Sequence, residues 1–169
     1  MFRQVILPDQ VSGRLYLHAM PGRHEKFEQF VSEAQRVKLD VVVCLASESE
    51  VRSKSPTYSA ARSSQTFPFP TRNFPIEDFG VPSVEERPAF RHFVQQIAGE
   101  LHAGKAVLIH CRMGIGRTGT VATCVLLELG LETATAIRSV ESAGSHPEVP
   151  EQNDLVAWYS SSSPTKGEV

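Results

Sequence analysis

The sequence predicts a single α/β domain with a central, mainly parallel sheet of about four to five strands flanked by helices. Three observations lead there. Short β-branched apolar runs at 39–46 and 106–110 alternate with longer segments of helical periodicity. The second run leads straight into a glycine-rich loop that opens another helical segment. Finally, 169 residues suit one domain, and no internal repeat or linker divides the chain.

Along the chain, residues 14–19 have the composition of a short strand, closed by Pro21 and Gly22. Segment 25–37 sets Phe27, Phe30, Val31 and Ala34 on one helical stripe. Run 39–46 carries Val41, Val42, Val43, Cys44 and Leu45, as a strand covered on both faces does. Residues 47–72 are polar and serine-rich. Only an edge strand within 66–71 is predicted there, since Pro68 and Pro70 are tolerated at an edge. Residues 74–82 read as a loop, and Ser83 with Glu86 resembles a capping box. The helix that follows carries Phe90, Phe93, Val94, Ile97 and Leu101 on one side and stops near Gly104. After the strand at 106–110, residues 120–129 are apolar almost all round, which suits a buried central helix. Further helices are predicted at 132–143 and 151–159. Residues 1–159 are expected to form the domain, and 160–169 a disordered tail.

A formal net charge of −2 gives no global attraction to nucleic acid or to a membrane surface, so an anionic ligand has to be held by local features. Cys44, Cys111 and Cys124 are too few for a disulfide framework, and a reducing, cytoplasmic setting is expected. Neither a secretory signal nor a membrane span is legible. The six histidines include no closely spaced pair that would suggest a metal site, and no cofactor is implied.

The chemistry concentrates in the run His110-Cys111-Arg112-Met113-Gly114-Ile115-Gly116-Arg117-Thr118-Gly119. Glycines let consecutive N–H groups turn toward one centre and form a nest for an anion. The helix that follows directs its positive N-terminal end at the same centre. A cysteine at the start of such a nest is favoured as thiolate. An arginine at its far end can grip two phosphate oxygens through its planar fork. Cys111 and Arg117 hold those places, and the five residues between them, Arg112, Met113, Gly114, Ile115 and Gly116, supply the cradle. The spacing makes one tight loop around a tetrahedral oxyanion, with the thiolate in line for attack on phosphorus. The Thr118 hydroxyl is placed to donate to that thiolate when it leaves.

This pattern, His-Cys-(five residues)-Arg-Thr-Gly, resembles the active site of the protein tyrosine phosphatase superfamily. Chain length and the position of the loop in the C-terminal half look like its small dual-specificity branch. The resemblance implies a phosphatase forming a phosphocysteine intermediate, with a general acid on a separate loop. Pro75-Ile76-Glu77-Asp78-Phe79-Gly80-Val81-Pro82 is similar to that loop, and Asp78 lies 33 residues before Cys111. Asp78 would protonate the leaving oxygen and then activate water, with Glu77 as the neighbouring alternative. The resemblance further implies a loop-shaping role for His110, water placement by Gln152 and bracing of Arg117 by Glu50 or Glu48. For Gln152 and the glutamates the alternative is an ordinary solvated side chain. Cys44 is the candidate for a protective disulfide with Cys111, the alternative being a core residue, as Cys124 is expected to be.

The implied substrate is a phosphorylated protein, presenting phosphotyrosine and also phosphoserine or phosphothreonine, met by a monomer. Competing readings are a pseudophosphatase that binds phosphoproteins without turnover, and a phosphatase of inositol phosphates or phosphoinositides. With a single charge among its variable positions, Arg112, the loop favours the protein substrate. Gly114-x-Gly116-x-x-Gly119 also fits a dinucleotide-binding turn, but no acidic residue ends a following strand at the usual distance. Sulfurtransferase and arsenate reductase chemistry would not require the Asp78 loop.

Overall fold

Five strands pair into one sheet in a computed structural model that describes residues 1–162. They are β1 (Arg3–Val5), β2 (Arg14–His18), β3 (Val41–Cys44), β4 (Thr71–Asn73) and β5 (Ala106–His110). Their spatial order is β1-β2-β5-β3-β4, and every pairing is parallel except β1 with β2. β3 and β5 are buried along their whole length at the centre, as their continuous apolar composition requires.

Helices cover both faces. α1 (Phe27–Arg36), α2 (Glu48–Lys54) and α3 (Pro56–Ser63) lie on one side, and α4 (Arg87–His102), α5 (Gly116–Glu128), α6 (Thr133–Ser142) and α7 (Pro150–Ser161) on the other. Strand residues alternate between the two cores. Val41, Val43, Val107 and Ile109 face the α4–α7 core, whereas Val42, Ala106 and Leu108 pack with Phe30 and Ala34 of α1. Residues 116–126 of α5 are all buried, and Thr120 and Thr123 satisfy their hydroxyls on the carbonyls of Gly116 and Gly119.

Several elements differ from the sequence expectation. β1 is three residues long and carries no periodicity. α2 and α3 occupy the polar stretch in which no helix was predicted, anchored inward by Val51, Tyr58 and Ala61. Their starts are marked by Ser47, whose Oγ accepts the Glu50 N–H at 3.2 Å, and by Pro56 in the first turn. β4 is the edge strand, but it begins where the expected one ended, at Thr71. α5 starts four residues before the expected 120, because the second half of the glycine-rich loop is already helical. α7 runs through Ser161, so residues 160 and 161 belong to a helix, and 163–169 of the expected tail lie outside the described residues. Among the described residues no helix is long and apolar enough to cross a membrane.

Candidate active site

The loop between β5 and α5 sits at the carboxyl end of the central strand, where parallel α/β sheets present their ligands. Its carbonyls are held from outside. The Met20 N–H donates to the Arg112 carbonyl at 3.1 Å, and the His146 N–H to that of Ile115 at 3.3 Å. The Gly114 carbonyl accepts from Arg3 Nη2 at 2.5 Å and from Ser145 Oγ at 2.6 Å. On the inner side the Gly114 N–H donates to Cys111 Sγ at 3.2 Å, and Cys111 is 3% exposed. Gly114 adopts φ of +72°, and a β-carbon there would collide with the His18 carbonyl, so only glycine fits. The other two glycines of the dinucleotide-like spacing are used for packing: Gly116 lies against the Glu148 carboxylate and Gly119 against the His146 backbone.

Arg117 closes the far end of the loop with its side chain 1% exposed. Its Nη1 donates to Glu50 Oε2 at 2.8 Å and to the Ile76 carbonyl at 3.0 Å, while Nη2 donates to Glu50 Oε1 at 2.9 Å and to Asp78 Oδ1 at 3.0 Å. Burial weighs against its charge, but the Glu50 hydrogen bonds and the charges of Cys111, Glu50 and Asp78 outweigh that and strengthen its hold on the proton. The Glu50 carboxylate is correspondingly shifted below its ordinary range, chiefly by the Arg117 hydrogen bonds. Arg117 Nε is buried without a partner, a donor left available at the loop.

Asp78 thus reaches the same arginine from the 74–82 loop, and its second oxygen lies 3.4 Å from Arg112 Nη1. Glu77 does not share this contact. It lines a cavity of about 180 Å³ with Ser47, Glu50 and Glu86. Of the two bracing candidates, Glu50 meets Arg117, whereas Glu48 pairs with Arg62 at 2.6 Å.

His110 is fully buried, and burial lowers its pKa to about 3, so the ring is neutral. Nδ1 lies 3.0 Å from the Cys111 carbonyl, which can only accept, so Nδ1 carries the proton. Nε2 then accepts from the Tyr58 hydroxyl at 3.1 Å. Thr118 Oγ1 is buried with no partner; the expected donation to Cys111 is not formed. Gln152 is buried too, but it accepts from the Glu148 N–H at 2.8 Å and donates to the Gly80 carbonyl at 3.4 Å. It therefore ties the Asp78-bearing loop to the start of α7.

The structure does not bring Cys44 to Cys111. Cys44 is level with His110 in the β3–β5 register, and side chains alternate along a strand, so Cys44 and Cys111 project to opposite faces. Cys44 packs with Met20, Val51 and Tyr58, whereas Cys111 joins the α4–α7 core. Burial raises the Cys44 thiol to about 11. Arg3, Tyr58 and Ser145 went unrecognised in the sequence: each lies far along the chain from the loop it supports, in a segment without a motif.

A cysteine and an arginine at the two ends of one strand–loop–helix turn, faced by a carboxylate from a second loop, define the class of dual-specificity-phosphatase-like domains. Residues 12–163 match the family described as PTP-SAK, Swiss Army Knife protein, DSP-PTPase phosphatase domain, and the chain belongs to this family. Solved structures agree with the fold. Kinase associated phosphatase (KAP), with its catalytic-site cysteine substituted by serine, superposes with a TM-score of 0.80 at 19% identity, covering 97% of each chain. Tk-PTP in its active form gives 0.71 at 26% identity, covering 95% of this chain and 97% of that one. A glycine-to-alanine mutant form of Tk-PTP gives 0.69 at 30% identity, with 88% and 91% covered.

Proposed function

We propose that the protein hydrolyses phosphotyrosine, and also phosphoserine and phosphothreonine, in proteins through a phosphocysteine intermediate. The observation that carries this reading is the single loop that starts at a buried thiol and ends at a buried guanidinium with its Nε unpartnered. The Cys111 thiolate attacks phosphorus as the bond to the leaving oxygen breaks. Loop amides and Arg117 hold the equatorial oxygens as charge builds on them. The phosphate takes the place of Asp78 on Arg117, and the freed Asp78, having taken up a proton from solvent, delivers it to the leaving oxygen. Water then attacks the phosphocysteine, Asp78 takes its proton, and inorganic phosphate leaves with the cysteine restored as thiolate. Thr118 Oγ1, a buried donor without a partner, is available to the departing thiolate. Gln152, held between the acid loop and α7, is the residue proposed to place the water.

On this reading residues 1–159 act as one monomeric unit in the cytoplasm, with a phosphorylated protein as partner and without nucleic acid, membrane or cofactor. Arg112 is the one charge among the variable loop positions Arg112, Met113 and Ile115, which supports a protein phosphoester over a polyanionic inositide. Turnover is tested with p-nitrophenyl phosphate, followed by phosphotyrosyl, phosphoseryl and phosphothreonyl peptides beside inositol phosphates. Release of phosphate from the peptides is expected. Preference for the inositol phosphates would reassign the substrate, and peptide binding without release would make the protein a phosphoprotein reader.

A further inference from the structure

We infer that Arg3 and Ser145 are positioning residues that lock the Gly114–Ile115 peptide with its N–H turned into the anion cradle. The inference rests on the phosphate-binding reading of the loop. Arg3 Nη2 and Ser145 Oγ both donate to the Gly114 carbonyl, and Arg3 Nη1 donates to Ser145 Oγ at 3.1 Å. Arg3 Nη1 is itself fixed on the carbonyls of Ala143, at 3.0 Å, and Gly144, at 2.5 Å. A strand at the sheet edge and the α6–α7 connection thus converge on one carbonyl oxygen.

That oxygen decides which way an amide points. The Gly114–Ile115 peptide is trans, and in a trans peptide the C=O and N–H point in opposite directions. With the carbonyl held outward by two donors, the Ile115 N–H is directed to the opposite side. The Gly114 N–H already points that way, at Cys111 Sγ. Without the lock, glycine's freedom at position 114 permits the peptide to turn over. A carbonyl would then replace a donor in the cradle and repel both thiolate and phosphate. Ser145 is fully buried, so its bond to the Gly114 carbonyl is shielded from competing water.

Arg3 also lies close enough for its charge to interact with that of Cys111, and the test separates the two roles. Arg3→Lys keeps the charge, but an ammonium cannot bridge the same fan of acceptors. Calorimetric binding of tungstate, an unreactive oxyanion, is measured on the full chain as wild type, Arg3→Lys, Ser145→Ala and the double variant. Thermal denaturation accompanies each to establish folding, and kcat and KM are read with p-nitrophenyl phosphate. The lock predicts that Arg3→Lys weakens tungstate about tenfold and Ser145→Ala about threefold. The double variant loses less than the product, because both act on one carbonyl. It also predicts that kcat falls more than KM rises, since the amide matters most as charge builds on the oxygens. Tungstate bound by folded Arg3→Lys as by wild type would show that charge alone matters and overturn the lock. If Arg3→Lys does not fold, wild-type affinity in Ser145→Ala overturns it equally. Failure of the wild type to bind tungstate would instead refute the phosphate-binding reading itself.

Discussion

Glu50 and Arg117 face each other fork to fork, with both carboxylate oxygens within 2.9 Å of separate guanidinium nitrogens. Because the same two nitrogens also hold the Ile76 carbonyl and Asp78 Oδ1, this pair fixes the arginine and the Asp78-bearing loop together. α2, which carries Glu50, thereby sets the direction of a side chain that the glycine-rich loop supplies.

Glu50→Gln is therefore expected to lower kcat/KM by about tenfold or more, as loss of a partner that orients an active-site group does. Since the folded-state pKa of Glu50 lies below its unfolded value, the pair stabilises the fold above the ordinary glutamate range and loses that contribution as pH falls through the folded value. Urea denaturation of wild type and variant should show a stability difference near neutrality that shrinks in acid. A difference that stays constant across that range would contradict the role assigned to the charge.

Asp78→Asn separates acid catalysis from binding. Phenyl phosphate has a poor leaving group and should lose on the order of a hundredfold in kcat, whereas p-nitrophenyl phosphate should lose much less. Equal losses would make Asp78 the wrong acid. Glu77→Gln should leave both rates near wild type, because the Arg117 and Arg112 contacts from this loop are made by Asp78.

These two residues also show how much was legible beforehand. The glycines, Cys111, Arg117 and the strand feeding them are contiguous, so spacing alone places them around one anion. α4 was legible because burial on one face imposes a period, and β3 and β5 because burial on both faces leaves a short continuous apolar run. What escaped depends on distant pairing. α2 and α3 are short, mostly solvated and held by three inward anchors, too few to make a stripe. Whether Glu48 or Glu50 meets Arg117 turns on the exact start of α2, set by the Ser47 cap. Whether Cys44 approaches Cys111 or packs as a core residue was left open by the sequence, because a one-residue register shift moves a side chain to the opposite face of the sheet.

The His110 ring is held neutral, which gives a pH prediction of its own. Its pKa falls from the ordinary 6.5 to about 3 in the folded chain, so the unfolded state takes up a proton first. Stability should therefore be lost as pH falls from about 6.5 toward about 3, and the pH–rate profile should contain no ionisation that His110→Asn removes. Tyr58→Phe, which leaves Nε2 buried without its donor, should cost about 1–3 kcal/mol in denaturant melts. No loss would show that the Tyr58 bond is not formed in solution.

Opposed faces for Cys44 and Cys111 predict the response to oxidation. Mild peroxide should inactivate wild type and Cys44→Ala at the same rate, and peptide mapping should recover no Cys44–Cys111 crosslink. A crosslinked peptide in the folded protein would contradict the register.

The most direct test of the central claim is to trap the covalent intermediate. Rapid acid quench during turnover of p-nitrophenyl phosphate, followed by peptide mass spectrometry, should locate one phosphoryl group on the peptide containing Cys111. The signal should vanish in Cys111→Ser and rise in Asp78→Asn, where water attack is slowed. Sustained turnover by Cys111→Ser, or a phosphoryl group on any other residue, would contradict the account.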